Sequence, residues 1–166
     1  MCSQYEFEDQ SFYPNQKINI FIEYHNKIAV INSLWGFKDR DHIVFNARSE
    51  TVNNIPLFKD LKHCIVKADR YFEWDNSGHK VIFQAKDNKP LFMAALVRKN
   101  NGKNEHTIIT VPPNQSVLGI HDRMPLILEK KDALKWLFHQ ESNDILVSVP
   151  KELNVYRKIK QMELDI

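Results

Sequence analysis

The chain has few of the residues that mark common cofactor and metal sites. Four glycines in 166 residues leave no GxGxxG and no GxxxxGK[ST] run, so no dinucleotide or phosphate-loop cradle is expected. The two cysteines, Cys2 and Cys64, form no CxxC, and the seven histidines form no HxxxH or HExxH. No metal site and no cofactor are therefore expected. The opening MCSQYEFEDQ has neither a basic start nor an apolar core, which argues against secretion and for a reducing, cytoplasmic setting. No apolar run approaches the ~20 residues that cross a bilayer, so no membrane partner is expected. The formal net charge of +2 is too mild to argue for nucleic acid by itself, although a local basic face is compatible with it. Repeats, low-complexity stretches and linkers are absent, and residues 1–166 read as one domain.

What is present is apolar side chain in short alternating runs. At 43% hydrophobic content the chain can bury one sizeable core. Residues 17–37 alternate Ile18, Ile20, Ile22 and Tyr24, turn near His25 and Asn26, and return through Ile28 and Val30, the pattern of a hairpin. Further strands are expected at 63–68, 70–74, 80–85, 90–97, 106–111, 125–128 and 145–149, most of them bounded by Gly, Asn, Asp or Pro. Helical spacing covers 130–141, where Ala133, Leu134, Leu137 and Phe138 share a face, and weakly 46–61, where Pro56 breaks it. The charged segment from Lys151 reads as a last strand with a tail. These runs predict an α+β fold, mainly an antiparallel bent or barrel-like sheet with a few covering helices.

Cys2 directly follows Met1, so methionine removal would leave a free α-amine and a thiol on one residue. Such a 1,2-aminothiol condenses with an aldehyde to an imine, and the sulfur then closes a thiazolidine ring. An α-amine near ~7.7–8.0 and a thiol near ~8.5 both have reactive fractions at neutral pH. Cys64 lies in an apolar run and reads as an inert buried thiol.

Four segments occur in a telling order: MC at 1–2, NARSET at 46–51, ADRYFEW at 68–74 and IHDRMPLIL at 120–128. LWGF at 34–37, PLFMAAL at 90–96 and TIIT at 107–110 followed by Asn114 support them. Together they resemble the SRAP family, the SOS-response-associated proteins that capture abasic sites in single-stranded DNA, over residues 1 to about 128. The resemblance implies catalytic roles for Cys2, Asn46, Glu73 and His121, and DNA containing abasic sites as the partner. A monomer suffices, because one domain with an amino-terminal nucleophile completes its own site.

The residues suit these roles on chemical grounds. Glu73 stands between Phe72 and Trp74, where desolvation would raise its pKa toward that of a useful acid or base. His121 carries an imidazole, which both gives and takes protons and can shuttle them during sugar opening, imine formation or elimination of a 3′ phosphate. The Asn46 amide both donates and accepts, which suits it to hold an opened sugar or the amino-terminal residue; it would equally serve as a helix N-cap. Arg48 and Arg123 carry planar forks that match phosphate oxygens or surface carboxylates. Trp35 and Phe37 would stack on flanking bases or fill the core. Met124 belongs to the HDRMP segment and is grouped with the DNA contacts.

The chain also departs from the family pattern. Ser3-Gln4 replaces the usual Gly-Arg, which removes one expected phosphate contact. Lys67 and Arg70 replace the frequent Pro and Gly, adding two cations expected near Glu73, where they would hold DNA or lower the Glu73 pKa. Two other function classes fit the same residues. One is a thiol peptidase with Cys2 as nucleophile, His121 as base and Asn46 as orienter. The other is a non-catalytic single-strand DNA-binding module.

Overall fold

The computed structural model describes residues 2–138 and 143–157. The end of the helix expected over 130–141 and the tail expected after the last strand lie outside the described residues.

The strands are β1 Gln4–Phe7, β2 Gln10–Phe12, β3 Lys17–Tyr24, β4 Lys27–Trp35, β5 Phe37–Asp39, β6 His42–Val44, β7 Asn46–Arg48, β8 Lys62–Ala68, β9 Arg70–Trp74, β10 Lys80–Ala85, β11 Leu91–Asn100, β12 Lys103–Val111, β13 Met124–Pro125, β14 Ile127–Leu128 and β15 Leu153–Arg157. Two α-helices, α1 Lys130–Phe138 and α2 Asn143–Leu146, and a 3₁₀ turn at Pro56–Phe58 complete the set. Scarce glycine does not prevent tight hairpins. The two-residue turns at Glu8–Asp9 and His25–Asn26 run through positive φ of 50° and 60°, and 49° and 60°, on non-glycine residues.

Five strands close on themselves. β4 pairs with β3, β3 with β8, β8 with β11 and β11 with β12, all antiparallel; a parallel pairing of β12 with β4 closes the ring. Ile18 and Ile20 alternate into the core from β3, as their spacing predicts. β11 is buried along most of its length because α1 covers its outer face. Trp136 anchors that helix: its indole N–H donates to the carbonyls of Cys64 and Ala95 at 3.1 and 3.3 Å, and His63 stacks on it at 3.6 Å. Cys64 is fully buried, as expected.

A second antiparallel sheet, in the order β15-β10-β9-β1-β2, packs beside this barrel. Tyr5 of β1 joins the two layers, its ring 5.3 Å from that of Trp35 at the end of β4. The α+β reading and its bent, mainly antiparallel sheet hold.

Two local expectations fail. Residues 145–149 are not a strand: α2 ends at Leu146, and Val147 and Val149 are 81% and 76% exposed. The weak helix over 46–61 is absent, because β12 claims the backbone of residues 46–48 in a parallel pairing and the rest forms turns around Pro56. The β12 pairings with β4 and β7 are parallel, the exceptions in a mainly antiparallel sheet.

Candidate active site at the amino-terminal cysteine

Strand β12 gathers the site. On one edge it pairs with β7, Ile108 opposite Asn46 and Thr110 opposite Arg48. At its end it pairs with β13, Val111 opposite Met124, which returns the chain just after His121. The intervening turn is fixed by Asn114. Its side-chain amide donates to the carbonyls of Pro150 and Lys151 at 3.1 and 2.9 Å, while its carbonyl oxygen accepts from the backbone N–H of Ser116 at 3.0 Å. The second sheet supplies the remaining parts. β1 lies antiparallel to β9, with Gln4 opposite Phe72, so Cys2 at the head of β1 enters beside Glu73.

Cys2, Glu73, Asn46 and His121 therefore meet from four separate segments. The Asn46 amide donates to the Cys2 carbonyl at 3.0 Å and fixes the backbone there. Asn46 sits in β7, so it is not a helix N-cap. Its buried carbonyl oxygen has no hydrogen-bond partner among the described residues. His121 places Nε2 3.7 Å from a Glu73 oxygen, and the Arg123 backbone N–H donates to its Nδ1 at 3.1 Å. Nδ1 also lies 3.2 Å from the Arg123 carbonyl oxygen, to which it donates in the other tautomer. The Asp122 carboxylate lies 3.0 Å from Nδ1 and would accept from it when the ring is charged.

Burial sets the electrostatics. Glu73 is 2% exposed, and desolvation raises its pKa above the ordinary carboxyl value against the pull of nearby positive charge, His121 included. The Cys2 thiol is pushed up by complete burial first and by the Glu73 charge second. Its proton therefore has to be taken by a neighbour for the sulfur to react.

The expected DNA contacts divide sharply. Arg48 is exposed and has no acidic partner among the described residues. Arg123 is 7% exposed, and its fork is filled by both Glu50 oxygens, with Thr110 O accepting as well. Its role is to tie the segment after β7 to β12. Trp35 and Phe37 are fully buried and do not present a stacking face. Trp35 donates its indole N–H to Phe45 O at 2.9 Å, and Arg98 lies 4.4 Å over the Phe37 ring. Met124 is also fully buried, its sulfur accepting from the Asn114 N–H at 3.3 Å.

Lys67 and Arg70 are not the cations beside Glu73. Lys67 lies 5.1 Å over Phe7, and Arg70 pairs with Glu6 at 2.7 Å on the face of β9 opposite Glu73. Gln4, where the family has arginine, faces inward, 3% exposed, and its amide donates to Ser11 at 3.5 Å. Sequence reasoning missed Glu50 and Tyr5. Glu50 lay inside a quoted motif, but no spacing rule pairs it with a residue 73 positions later.

Among the described residues no three His, Cys, Asp or Glu side chains gather as metal ligands, and no helix is long and apolar enough to cross a membrane.

A closed barrel flanked by a second sheet, with a buried amino-terminal thiol beside a carboxylate and an imidazole, defines an α+β protein with an amino-terminal cysteine site. The sequence profile described as SOS response associated peptidase (SRAP) matches residues 4–163, and the chain belongs to this family. It is 31% identical over 139 residues to the abasic site processing protein YedK of Escherichia coli (strain K12), covering 75% of this chain and 62% of that protein. It is 34% identical over 106 residues to the abasic site processing protein YoqW of Bacillus subtilis (strain 168), covering 57% and 47%. The abasic site processing protein HMCES of Xenopus tropicalis is 32% identical over 123 residues, covering 55% and 37%. The chain thus matches less than two thirds of the length of each of these relatives. A crystal structure of a protein from Bordetella bronchiseptica shares the fold with a TM-score of 0.80 at 22% identity, covering 94% of this chain and 99% of that one.

Proposed function

We propose that this protein processes abasic sites in single-stranded DNA, capturing the opened sugar covalently on Cys2 once Met1 is removed. The observation that carries the reading is the convergence of Asn46, Glu73 and His121 on Cys2, with the Asn46 amide on the Cys2 carbonyl and His121 3.7 Å from Glu73. The named activity of the curated relatives agrees with it.

An abasic sugar is mainly a closed hemiacetal and must open to its aldehyde. Glu73, its pKa raised by burial, gives a proton to the ring oxygen, and the paired His121 accepts one from the anomeric hydroxyl. The Cys2 amine adds to the aldehyde carbon, and the carbinolamine loses one water to give the imine. The Cys2 sulfur then adds to the imine carbon while the nitrogen takes up a proton, closing the thiazolidine. The Asn46 carbonyl oxygen is an available acceptor for a sugar hydroxyl. If sulfur addition lags, proton abstraction next to the imine eliminates the 3′ phosphate, the lyase path.

The test is intact mass and a denaturing gel on Met1-processed protein with an abasic single-stranded oligonucleotide, beside an intact oligonucleotide. A covalent species specific to the abasic strand and lost in Cys2→Ala is expected. An adduct unchanged in Cys2→Ala rules out the mechanism. Equal binding of both strands with no covalent product favours the binding module, and peptide turnover without DNA favours the peptidase.

A further inference from the structure

The hairpin of β1 and β2 and the barrel face beside it enclose a groove of about 350 Å³. Its two walls follow from strand alternation. Tyr5 and Phe7 point from one side of β1, and their ladder partners Phe12 and Gln10 point from the same side of β2. Opposite them, the outward face of β3 and β4 presents Phe21 paired with Val30 and Asn19 paired with Asn32. Phe7, Phe12 and Phe21 are only partly buried and Val30 is 54% exposed, so the apolar floor is open to solvent. Two cations stand at its ends. Lys67 lies 5.1 Å over Phe7, two residues past Ile65, the ladder partner of Phe21. Lys17 stands four residues before Phe21 on β3, about 13 Å away at ~3.3 Å per residue. Neither lysine has an acidic partner among the described residues, and the lining carries one carboxylate, that of Glu8 in the turn.

We propose that this groove holds the nucleotides of the single strand that flank the lesion, with bases against the phenylalanine rings and phosphates on Lys17 and Lys67. The proposal rests on single-stranded DNA being the substrate. Aromatic faces set between cations suit such a strand, because stacking tolerates any base and each lysine meets a phosphate. The groove also lies in line with the Cys2 site. Tyr5 is three residues from Cys2, no more than about 10 Å along an extended chain. The Tyr5 ring lies 5.3 Å from that of Trp35, and Lys17 pairs with the neighbouring Leu34. Lys17 therefore marks the end nearer Cys2 and Lys67 the far end, and a strand held at Cys2 enters the groove past Lys17.

The test uses the full chain and single-stranded oligonucleotides carrying 5-iododeoxyuridine on either side of a central nucleotide, intact in one set and abasic in the other. Irradiation and peptide mass are expected to place the crosslinks on Phe7, Phe12 or Phe21. In salt titrations followed by anisotropy, the double variant Lys17→Gln, Lys67→Gln should lower the slope of log K against log salt by about 1.4, two phosphates at about 0.7 each. Phe21→Ala should weaken binding about tenfold at an unchanged slope, as loss of one stacked base does. Should its Tm fall, Val30→Glu at the exposed floor sets a like charge against the strand and gives the same readout. Crosslinks confined to other peptides, with slope and affinity unaltered in the lysine variant, would overturn the proposal. So would an acidic peptide that holds the groove against excess strand. Binding and crosslinking of the intact strand need neither Met1 removal nor Cys2. A wild type that crosslinks in the groove and forms no adduct on the abasic strand would count against covalent capture and leave the groove assigned.

Discussion

Glu73 shows how one buried side chain couples stability to reactivity. Its folded pKa lies above the ordinary value of 4.5, chiefly through desolvation. A raised carboxyl binds its proton more tightly in the folded state, so the stability it contributes is full below the unfolded pKa and is lost as pH rises through the folded one. At neutral pH the charged form is therefore a cost. Glu73→Gln is expected to raise Tm at pH 7 by about 2–4 °C, the scale at which ~1 kcal/mol is read in a chain of this size. The gain should vanish below pH 4.5. Adduct formation should slow by about a hundredfold, as loss of a general acid or base does. Thermal melts across pH 4 to 8 on both proteins, with gel-based adduct rates, check this; a Tm difference that stays constant with pH would remove the linkage. The burial of Glu73 was expected from its aromatic neighbours, but they are not its cause: Phe72 and Trp74 lie on the other face of β9, and Trp74 is 42% exposed. Trp35 was not legible in the sequence, because an aromatic residue reads alike whether it faces solvent or core, and its burial follows only once β1 is laid across the end of β4.

The segment after β7 is held to the rest of the fold by the Glu50–Arg123 pair, by the Ser49 N–H on Thr110 O and by the Asn53 amide on Asn143. Glu50 fills the Arg123 fork and has its pKa lowered to about 2, first by that hydrogen bond. The Glu50 side chain is 46% exposed, so the pair is worth well under the ~3–5 kcal/mol lost on breaking a fully buried one. Glu50→Ala should destabilise by ~1 kcal/mol, about 2–4 °C in Tm. A lowered carboxyl contributes stability above its unfolded pKa and loses it as pH falls toward the folded one. The gap between variant and wild type should accordingly close between pH 4.5 and 2. Melts over that range test it, and a gap that persists at pH 2 would assign the effect to packing. Gly36 constrains the same neighbourhood: its φ is 125°, and an added Cβ would meet Ile43 at 2.2 Å. The hairpin of β3 and β4 was legible because period-two alternation and a two-residue turn are local signals. The parallel β12 pairings were not, since they join segments about 60 to 70 residues apart. The run at 145–149 misled because β-branched content mimics a strand that no neighbour is present to pair.

For the whole molecule, a net charge of +2 supplies no general attraction to a phosphate backbone, so the proposed strand binding has to come from a few placed cations. The fold pairs three of the arginines with carboxylates. Arg123 is neutralised by Glu50, Arg70 by Glu6 and Arg98 by Glu105. Arg48 differs: it is exposed at the end of β7, two residues from the Asn46 amide that holds Cys2, and no carboxylate among the described residues engages it. A single-strand phosphate neutralised there releases its counterion and contributes about 0.7 to the slope of log K against log salt. Arg48→Ala should weaken binding of intact and abasic strands alike and reduce that slope by about 0.7, with Tm unchanged. Fluorescence anisotropy with labelled single strands from 50 to about 200 mM salt, the range over which such contacts are screened, measures both quantities. An unaltered slope with weaker capture would place Arg48 among the residues that shape the Cys2 site, and would move phosphate tracking to the lysines around Phe7 and Phe72.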